Sequence, residues 1–301
     1  QDFALSSDKP FEEFEAARKL GIATRPVIIG PVSFLLLGKM KDHGDTLALL
    51  PKLLPVYAEV LKKLEAAGAQ WVQIDEPCLV RDLSTEAKKA YQAAFDTLAK
   101  AGNLKIMLTT YFGDLRDNLS VVNTLPVAGL HVDLVRAPGQ LDEVLKAWPK
   151  DKTLSLGVID GRNIWKTDLA RALSLLEKAK ASCSPETLLV APSCSLLHTP
   201  VDLDKEDKLD AEFKNWLAFS KQKLTEIKLL TDALNGKKDE KAFAENKQAV
   251  ESRKTSTRIH NPWVKERAKE VDLSMSMRQS GFGKRIQKQN AVFNLPYFPT
   301  T

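Results

Sequence analysis

A chain of 301 residues with 44% hydrophobic and 28% charged positions has enough apolar material for one large core or two ordinary ones. Its 14 Gly, 15 Pro and 3 Cys exclude a collagen-like fibre, a disordered chain and a disulfide-stapled miniprotein. The net charge of +5 is gathered late, with 14 Lys and Arg against 7 Asp and Glu between Gly236 and Asn290. That pattern fits a solvated helical face before it fits an anionic partner.

In chain order, the opening Gln1-Asp2-Phe3 has neither the basic nor the apolar region of a secretory signal. Its first residue is not Met, which predicts a processed or cut chain. The longest apolar run, Val27 to Leu37, is interrupted by Gly30, Pro31 and Ser33 and falls short of the roughly 18 residues of a membrane helix. Six short β-branched or aliphatic runs then recur: Pro26–Ile29, Trp71–Ile74, Lys105–Thr109, Leu130–Val135, Thr153–Ile159 and Thr187–Ala191. Each reads as a buried parallel strand. Helical patterns lie between them over Leu49–Leu64, stopped by Gly68, and over Ala87–Ala99 and Asp168–Ala181. Repeated strand–helix–strand units predict an α/β protein.

Nearly every strand ends on polar residues, which favours a (β/α)8 TIM barrel over a doubly wound sheet, where function gathers at one switch point. No Gly-x-Gly-x-x-Gly or Walker loop follows a strand, so a nucleotide site is not expected. Beyond the sixth strand, Leu209, Phe213, Trp216, Leu217, Leu224, Ile227 and Leu234 predict one long amphipathic helix, with Asp202 or Asp204 as N-cap and Gly236 as stop. Further helices are expected over 241–254 and 261–271. The Pro-punctuated strip Phe293–Thr301 reads as a non-helical connector. The domains expected are an incomplete barrel of about six strands over 1–235, a basic helical extension over 236–290 and the start of a linker over 291–301. Only Trp263, Phe243 and Phe282 offer aromatics in the basic stretch, too few to predict nucleic-acid binding.

Several constellations could carry chemistry. Asp75 and Glu76 are neighbours at a strand end, so only one can face a barrel mouth; it could act as a general acid or base, or in an ion pair holding the next loop. Asp133 follows His131 by two and shares its face, as a carboxylate-oriented imidazole or a satisfied core histidine. Cys194 and His198 could supply two metal ligands, short of the three or four that zinc requires. Cys78 and Cys183 form no C-x-x-C pair, and three unpatterned cysteines suit a reducing, cytoplasmic setting. Asp160-Gly161-Arg162-Asn163 could clamp a carboxylate or fix its own loop through an Arg–Asp pair. Ser193 and Ser195 lack a nucleophile elbow.

Taken together, Pro26–Ser33, Val72–Pro77, Leu108–Gly113, Leu130–Asp133, Ile159–Trp165 and Ser193–Asp202 resemble cobalamin-independent methionine synthase, in order and along essentially the whole chain. Ser256–Pro262 and Phe293–Thr301 resemble the same family's bridge to a second barrel. The resemblance implies two face-to-face (β/α)8 barrels that transfer a methyl group from 5-methyltetrahydropteroyl-polyglutamate to homocysteine. It places zinc in the second barrel, held by His, Cys, Glu and Cys. This chain resembles the first barrel: Thr109–Phe112 stand where the other barrel has His and Cys, and Cys194 occupies a Cys station without companions. Two first strands, with residues for the folate's glutamate tail, would precede Gln1, and the zinc and homocysteine sites would follow Thr301. Asp75, Glu76, Tyr111, Asp133, Asp160, Arg162, Asn163, Ser193 and His198 would then face the cleft, with no catalytic residue or metal ligand on this chain. Two other readings remain: a free-standing barrel hydrolase or decarboxylase using Asp75 or Glu76 with Asp133 or Asp160 as acid–base pair, and an interaction protein using the basic tail.

Overall fold

Every one of the six apolar runs forms a strand in a computed structural model of the chain, which describes residues 2–41 and 43–296. The strands are β1 (Val27–Ile29), β2 (Trp71–Asp75), β3 (Lys105–Thr109), β4 (Gly129–Asp133), β5 (Thr153–Ile159) and β6 (Leu188–Pro192). They lie side by side in chain order, and all neighbours are parallel. A doubly wound sheet would reverse direction at its first strand, whereas sequential order is what a (β/α) barrel requires.

Helices return the chain between strands. They are α1 (Lys9–Lys19), α2 (Pro31–Leu37), α3 (Leu50–Ala66), α4 (Thr85–Leu98), α5 (Leu119–Val122), α6 (Leu141–Ala147) and α7 (Leu169–Lys180). In α3, Leu50, Leu53, Leu54, Leu61 and Leu64 form the buried stripe, and Gly68 at φ +96° ends the excursion in a conformation that disfavours a side chain. Ser84 caps α4 by accepting from the Ala87 N–H, and Asp168 caps α7 by accepting from Arg171. The helices cover the outer faces of the strands, where Val72, Ile74, Leu108, Leu130, Val132, Leu154 and Leu156 are fully buried. Each such side chain contributes about 1.5–3 kcal/mol of transfer free energy, so this layer is the main source of stability.

The inner face is different in kind. Strand register aligns Gln73 with Met107, Asp75 with Thr109, Thr109 with His131, and His131 with Ser155, which makes a largely polar interior. Among the described residues β1 and β6 are each paired on one side only, so the arc is open. Its inward-facing edge residues show it: Val27 is 55% exposed, Ile29 40% and Leu189 37%. A closed barrel would enclose them.

After β6 the predicted single helix is two: α8 (Ala211–Trp216) and α9 (Ser220–Leu234). Trp165 and Leu217 form an antiparallel bridge, and the Ala218 N–H donates to the Ile164 carbonyl at 2.8 Å, so the chain at 217–219 is held extended. Asp210, not Asp202 or Asp204, caps α8; Asp202 caps the 3-10 turn Leu203–Lys205. Gly236, at φ +79°, stands just past α9 as predicted. The remaining helices are α10 (Glu240–Thr255), α11 (Pro262–Lys269) and α12 (Phe282–Phe293). Phe293, expected in a non-helical strip, closes α12, which ends on Asn294 at φ +47°; residues 297–301 lie outside the described residues. The chain divides into two compact units between Glu251 and Ser252. Phe243 and Ala249 of α10 are buried within the first.

Candidate functional site

The carboxyl ends of the strands gather most of the candidate residues at one mouth, but they use them differently from the expectation of an acid–base pair. Asp75 and Glu76 point to opposite sides, as alternation along a strand requires. Asp75 faces the interior, where it accepts from Gln73 Nε2 at 2.8 Å and from the Tyr111 hydroxyl at 3.3 Å. Gln73 in turn accepts from the Arg25 guanidinium at 3.0 Å. Burial raises the Asp75 carboxyl above the usual range, opposed by these hydrogen bonds and by the charge of Arg25.

Glu76 points away from the mouth and is fully buried. Its two oxygens accept the backbone N–H groups of Val32 at 3.1 Å and Ser33 at 2.7 Å, two of the orphan donors at the start of α2. Burial pushes this carboxyl up to about 7 even so. Gly30 is required beside it, since a Cβ there would lie 2.1 Å from the carboxyl. Glu76 therefore ties β2 to the β1–α2 turn and cannot reach a substrate in the mouth.

Asp133 is also fully engaged. It accepts the N–H groups of Val135 and Arg136, each at 2.9 Å, and that of Phe112 at 3.0 Å. The last bond holds Phe112 at φ +75°, an uncommon backbone conformation for a side-chain-bearing residue. Phe112 consequently stands out at the mouth with Tyr111 edge-on at 4.5 Å and His198 edge-on at 6.2 Å. The Arg162 guanidinium lies over its ring at 4.7 Å. Tyr111, Phe112, Arg162 and His198 thus form a cationic aromatic platform.

The loop that carries Arg162 is fixed from beneath. Asp160 accepts from the Arg162 N–H at 2.8 Å and from Asn163 Nδ2 at 2.6 Å, so this carboxylate organises its own turn rather than pairing with the guanidinium. Ser193 is buried and its hydroxyl accepts the Gly161 N–H at 3.2 Å; it is a loop anchor, not a nucleophile. A Cβ at Gly161 would come within 2.8 Å of the Cys194 carbonyl, which explains the glycine.

The His131–Asp133 partnership does not form. His131 shares the inner face with Asp133, but its Nδ1 meets the Ser155 hydroxyl at 2.9 Å and its Nε2 the Ser193 carbonyl at 3.4 Å. Burial drives its pKa down to about 4, so it is neutral. The donor set does not fit zinc either. Among the described residues no three His, Cys, Asp or Glu side chains converge. Burial also pushes the Cys194 thiol up to about 11, so it is held as the neutral thiol.

Sequence reasoning passed over Phe112, Arg25, Lys223 and Glu226. Lys223 of α9 is fully buried and donates to the Trp165 carbonyl at 3.1 Å, while Glu226 accepts the Thr167 N–H at 2.9 Å. Both fasten α9 to the segment that follows the Arg162 turn. Their spacing of three, one face of a helix, was the available signal. Nothing local marks the strained Phe112, because its cause, Asp133, is 21 residues away. Glu76 and Asp133 are thus committed to backbone groups, Asp160 to the Arg162 N–H and the Asn163 amide, and Asp75 to Gln73 and Tyr111.

Residues 1–184 match the family model described as cobalamin-independent synthase, N-terminal domain. The chain is 48% identical over its whole length to a 5-methyltetrahydropteroyltriglutamate–homocysteine methyltransferase of Xylella fastidiosa (strain M23), and 50% identical to one of Chelativorans sp. (strain BNC1). It spans only 40% and 39% of those relatives' lengths. A solved B12-independent methionine synthase from Shewanella sp. W3-18-1 superposes with a TM-score of 0.56 at 14% identity, covering 76% of this chain and 65% of that one. At that identity the likeness concerns the fold alone.

Proposed function

We propose, on the premise that this chain belongs to the cobalamin-independent methionine synthase family through its N-terminal domain, that it forms the zinc-free half of such an enzyme. In that reading the whole protein moves a methyl group from 5-methyltetrahydropteroyltri-L-glutamate to homocysteine, and this half supplies scaffold and the folate-tail side of the cleft. The observation that carries it is the match of the entire chain, at 48–50% identity, to relatives of that activity. The platform of Arg162, Phe112, Tyr111 and His198 supports it, because a guanidinium held on an aromatic face suits an anionic, flexible polyglutamate.

Zinc, which would lower the homocysteine thiol pKa, is assigned to the catalytic barrel beyond Thr301. The residues here bind and orient; none transfers a proton to a reacting atom. Two further strands, preceding β1, would close the arc and cover Val27, Ile29 and Leu189. We place the protein in the cytoplasm, where the free thiols Cys78, Cys183 and Cys194 stay reduced. No described helix is long and apolar enough to cross a membrane.

The test is methyl transfer measured with the triglutamate folate and homocysteine. The full-length protein containing this sequence should turn over, while residues 1–301 alone should not and should bind no stoichiometric zinc. An inactive full-length protein, or turnover by residues 1–301 alone, would overturn the proposal.

A further inference from the structure

The segment from Ile164 to Leu169 leads from the Arg162 turn into α7, and hydrogen bonds hold it along its length. The Ile164 carbonyl accepts the Ala218 N–H at 2.8 Å, and the Lys166 N–H donates to the Trp216 carbonyl at 2.9 Å. Three buried polar side chains supply further bonds. Lys223 donates to the Trp165 carbonyl at 3.1 Å, and Glu226 accepts the Thr167 N–H at 2.9 Å. Asn246 of α10 donates to the Thr167 carbonyl at 2.9 Å and accepts the Leu169 N–H at 3.2 Å. Replacing buried ionic groups by well-packed apolar residues is often neutral or stabilising, so stability alone does not call for Lys223 and Glu226 here. Three buried polar groups from two helices, all directed at one short segment, fix its conformation.

From that segment an unbroken run of hydrogen bonds reaches Arg162. The Trp165 N–H donates to Asn163 Oδ1 at 3.1 Å, Asn163 Nδ2 to Asp160 at 2.6 Å, and the Arg162 N–H to the same carboxylate at 2.8 Å. Ile164 and Trp165 also pack on Leu203, Leu217 and Phe219. The Arg162 guanidinium rests on the Phe112 ring at 4.7 Å, so its place at the mouth depends on the backbone beneath it. We propose that Lys223, Glu226 and Asn246 are positioning residues, whose hold on residues 164–169 presets the Arg162 guanidinium for an anionic polyglutamate tail. This rests on the proposed function, which supplies the tail. A long side chain on a preset turn has less freedom to lose on binding, and that difference appears directly as affinity.

Titration calorimetry of the full-length protein with 5-methyltetrahydropteroyltriglutamate tests the proposal, together with backbone hydrogen exchange over residues 160–169. The variants are Arg162→Ala, the double variant Lys223→Met with Glu226→Leu, and all three changes combined. In the double variant the N–H groups of Arg162, Trp165 and Thr167 should exchange about 10-fold faster or more, while those of β4 and β5 keep their rates. Affinity should fall about 10-fold with Arg162 present and no further once it is Ala, with kcat at saturating folate unchanged. Glu226→Gln, which keeps an acceptor oxygen without the charge, should bind as the parent does. If the double variant does not fold, Asn246→Ala carries the same comparison. Unchanged exchange over 160–169, loosening shared equally by β4 and β5, or the same loss of affinity with and without Arg162 would overturn the proposal. Arg162→Ala that binds as tightly as the parent overturns it too, and continued turnover then leaves the functional reading standing. Coupled loss of affinity in a protein that transfers no methyl group refutes the methyl-transfer reading and spares the positioning role.

Discussion

Replacing Glu76 by Gln should make the stability of this protein depend on pH in a different way, and the structure sets the size. Glu76 is buried and accepts two backbone N–H groups at 3.1 and 2.7 Å. Its carboxyl is pushed by burial from an ordinary 4.5 up to about 7 in the folded state. Because the folded pKa lies above the unfolded one, the unfolded chain releases this proton first as pH rises. Stability associated with Glu76 is therefore full below about pH 4.5, falls between 4.5 and 7, and is flat above. A shift of that size corresponds to about 3 kcal/mol lost across the window. Gln carries no charge to desolvate, so it removes this loss. Its amide also has one acceptor oxygen where the carboxylate has two, which leaves one buried N–H short of a partner at a cost of about 1–3 kcal/mol. Urea unfolding followed by helical circular dichroism at pH 5, 6, 7 and 8 would measure both variants. At pH 5 the Gln variant should be the less stable by the cost of the unpaired N–H, and the gap should close or reverse by pH 8. A gap that stays constant from pH 5 to 8 would refute the argument that Glu76 is held against its ionisation.

His131 provides the opposite slope over an overlapping range. Its pKa falls from 6.5 to about 4 on burial, so its contribution is complete above pH 6.5 and is lost as pH drops toward 4. His131→Gln should flatten the acid side of the stability curve, and an unchanged acid midpoint in urea would contradict this. Arg162→Ala should shift unfolding by less than about 0.5 kcal/mol, since the side chain is exposed, yet raise the KM for the triglutamate folate in the full-length enzyme. Steady-state kinetics with unchanged KM and kcat would remove Arg162 from the cleft.

The strands could be read within about two residues because a buried parallel strand leaves a plain signature, an apolar run such as Thr153–Ile159 ended by a polar residue. The helix at 209–234 was misjudged because periodicity assumes that apolar residues face inward. In α9 the buried positions include Lys223 and Glu226, while Leu224 is more than half exposed. Polar strand ends such as Asp75 and Asp160 stand out in the sequence, but they do not mark which way each side chain turns, and Glu76 points away from the mouth. Their roles were not legible. Whether Asp133 or Glu76 handles a proton or a backbone N–H depends on loops from other strands, and spacing within one segment carries no trace of them.

The order of the sheet bears on how the molecule is assembled. Each strand's partner is the one made just before it, so every contact between neighbours joins segments close in the chain, and no early strand waits for a late one. Synthesis at the ribosome can then add one strand–helix unit at a time to a growing template, keeping each new apolar face uncovered only until the next helix emerges. Among the described residues β1 and β6 each keep one unpaired edge. In residues 1–301 taken alone, misassembly should therefore begin at one of these edges, by pairing with the same strand of another copy.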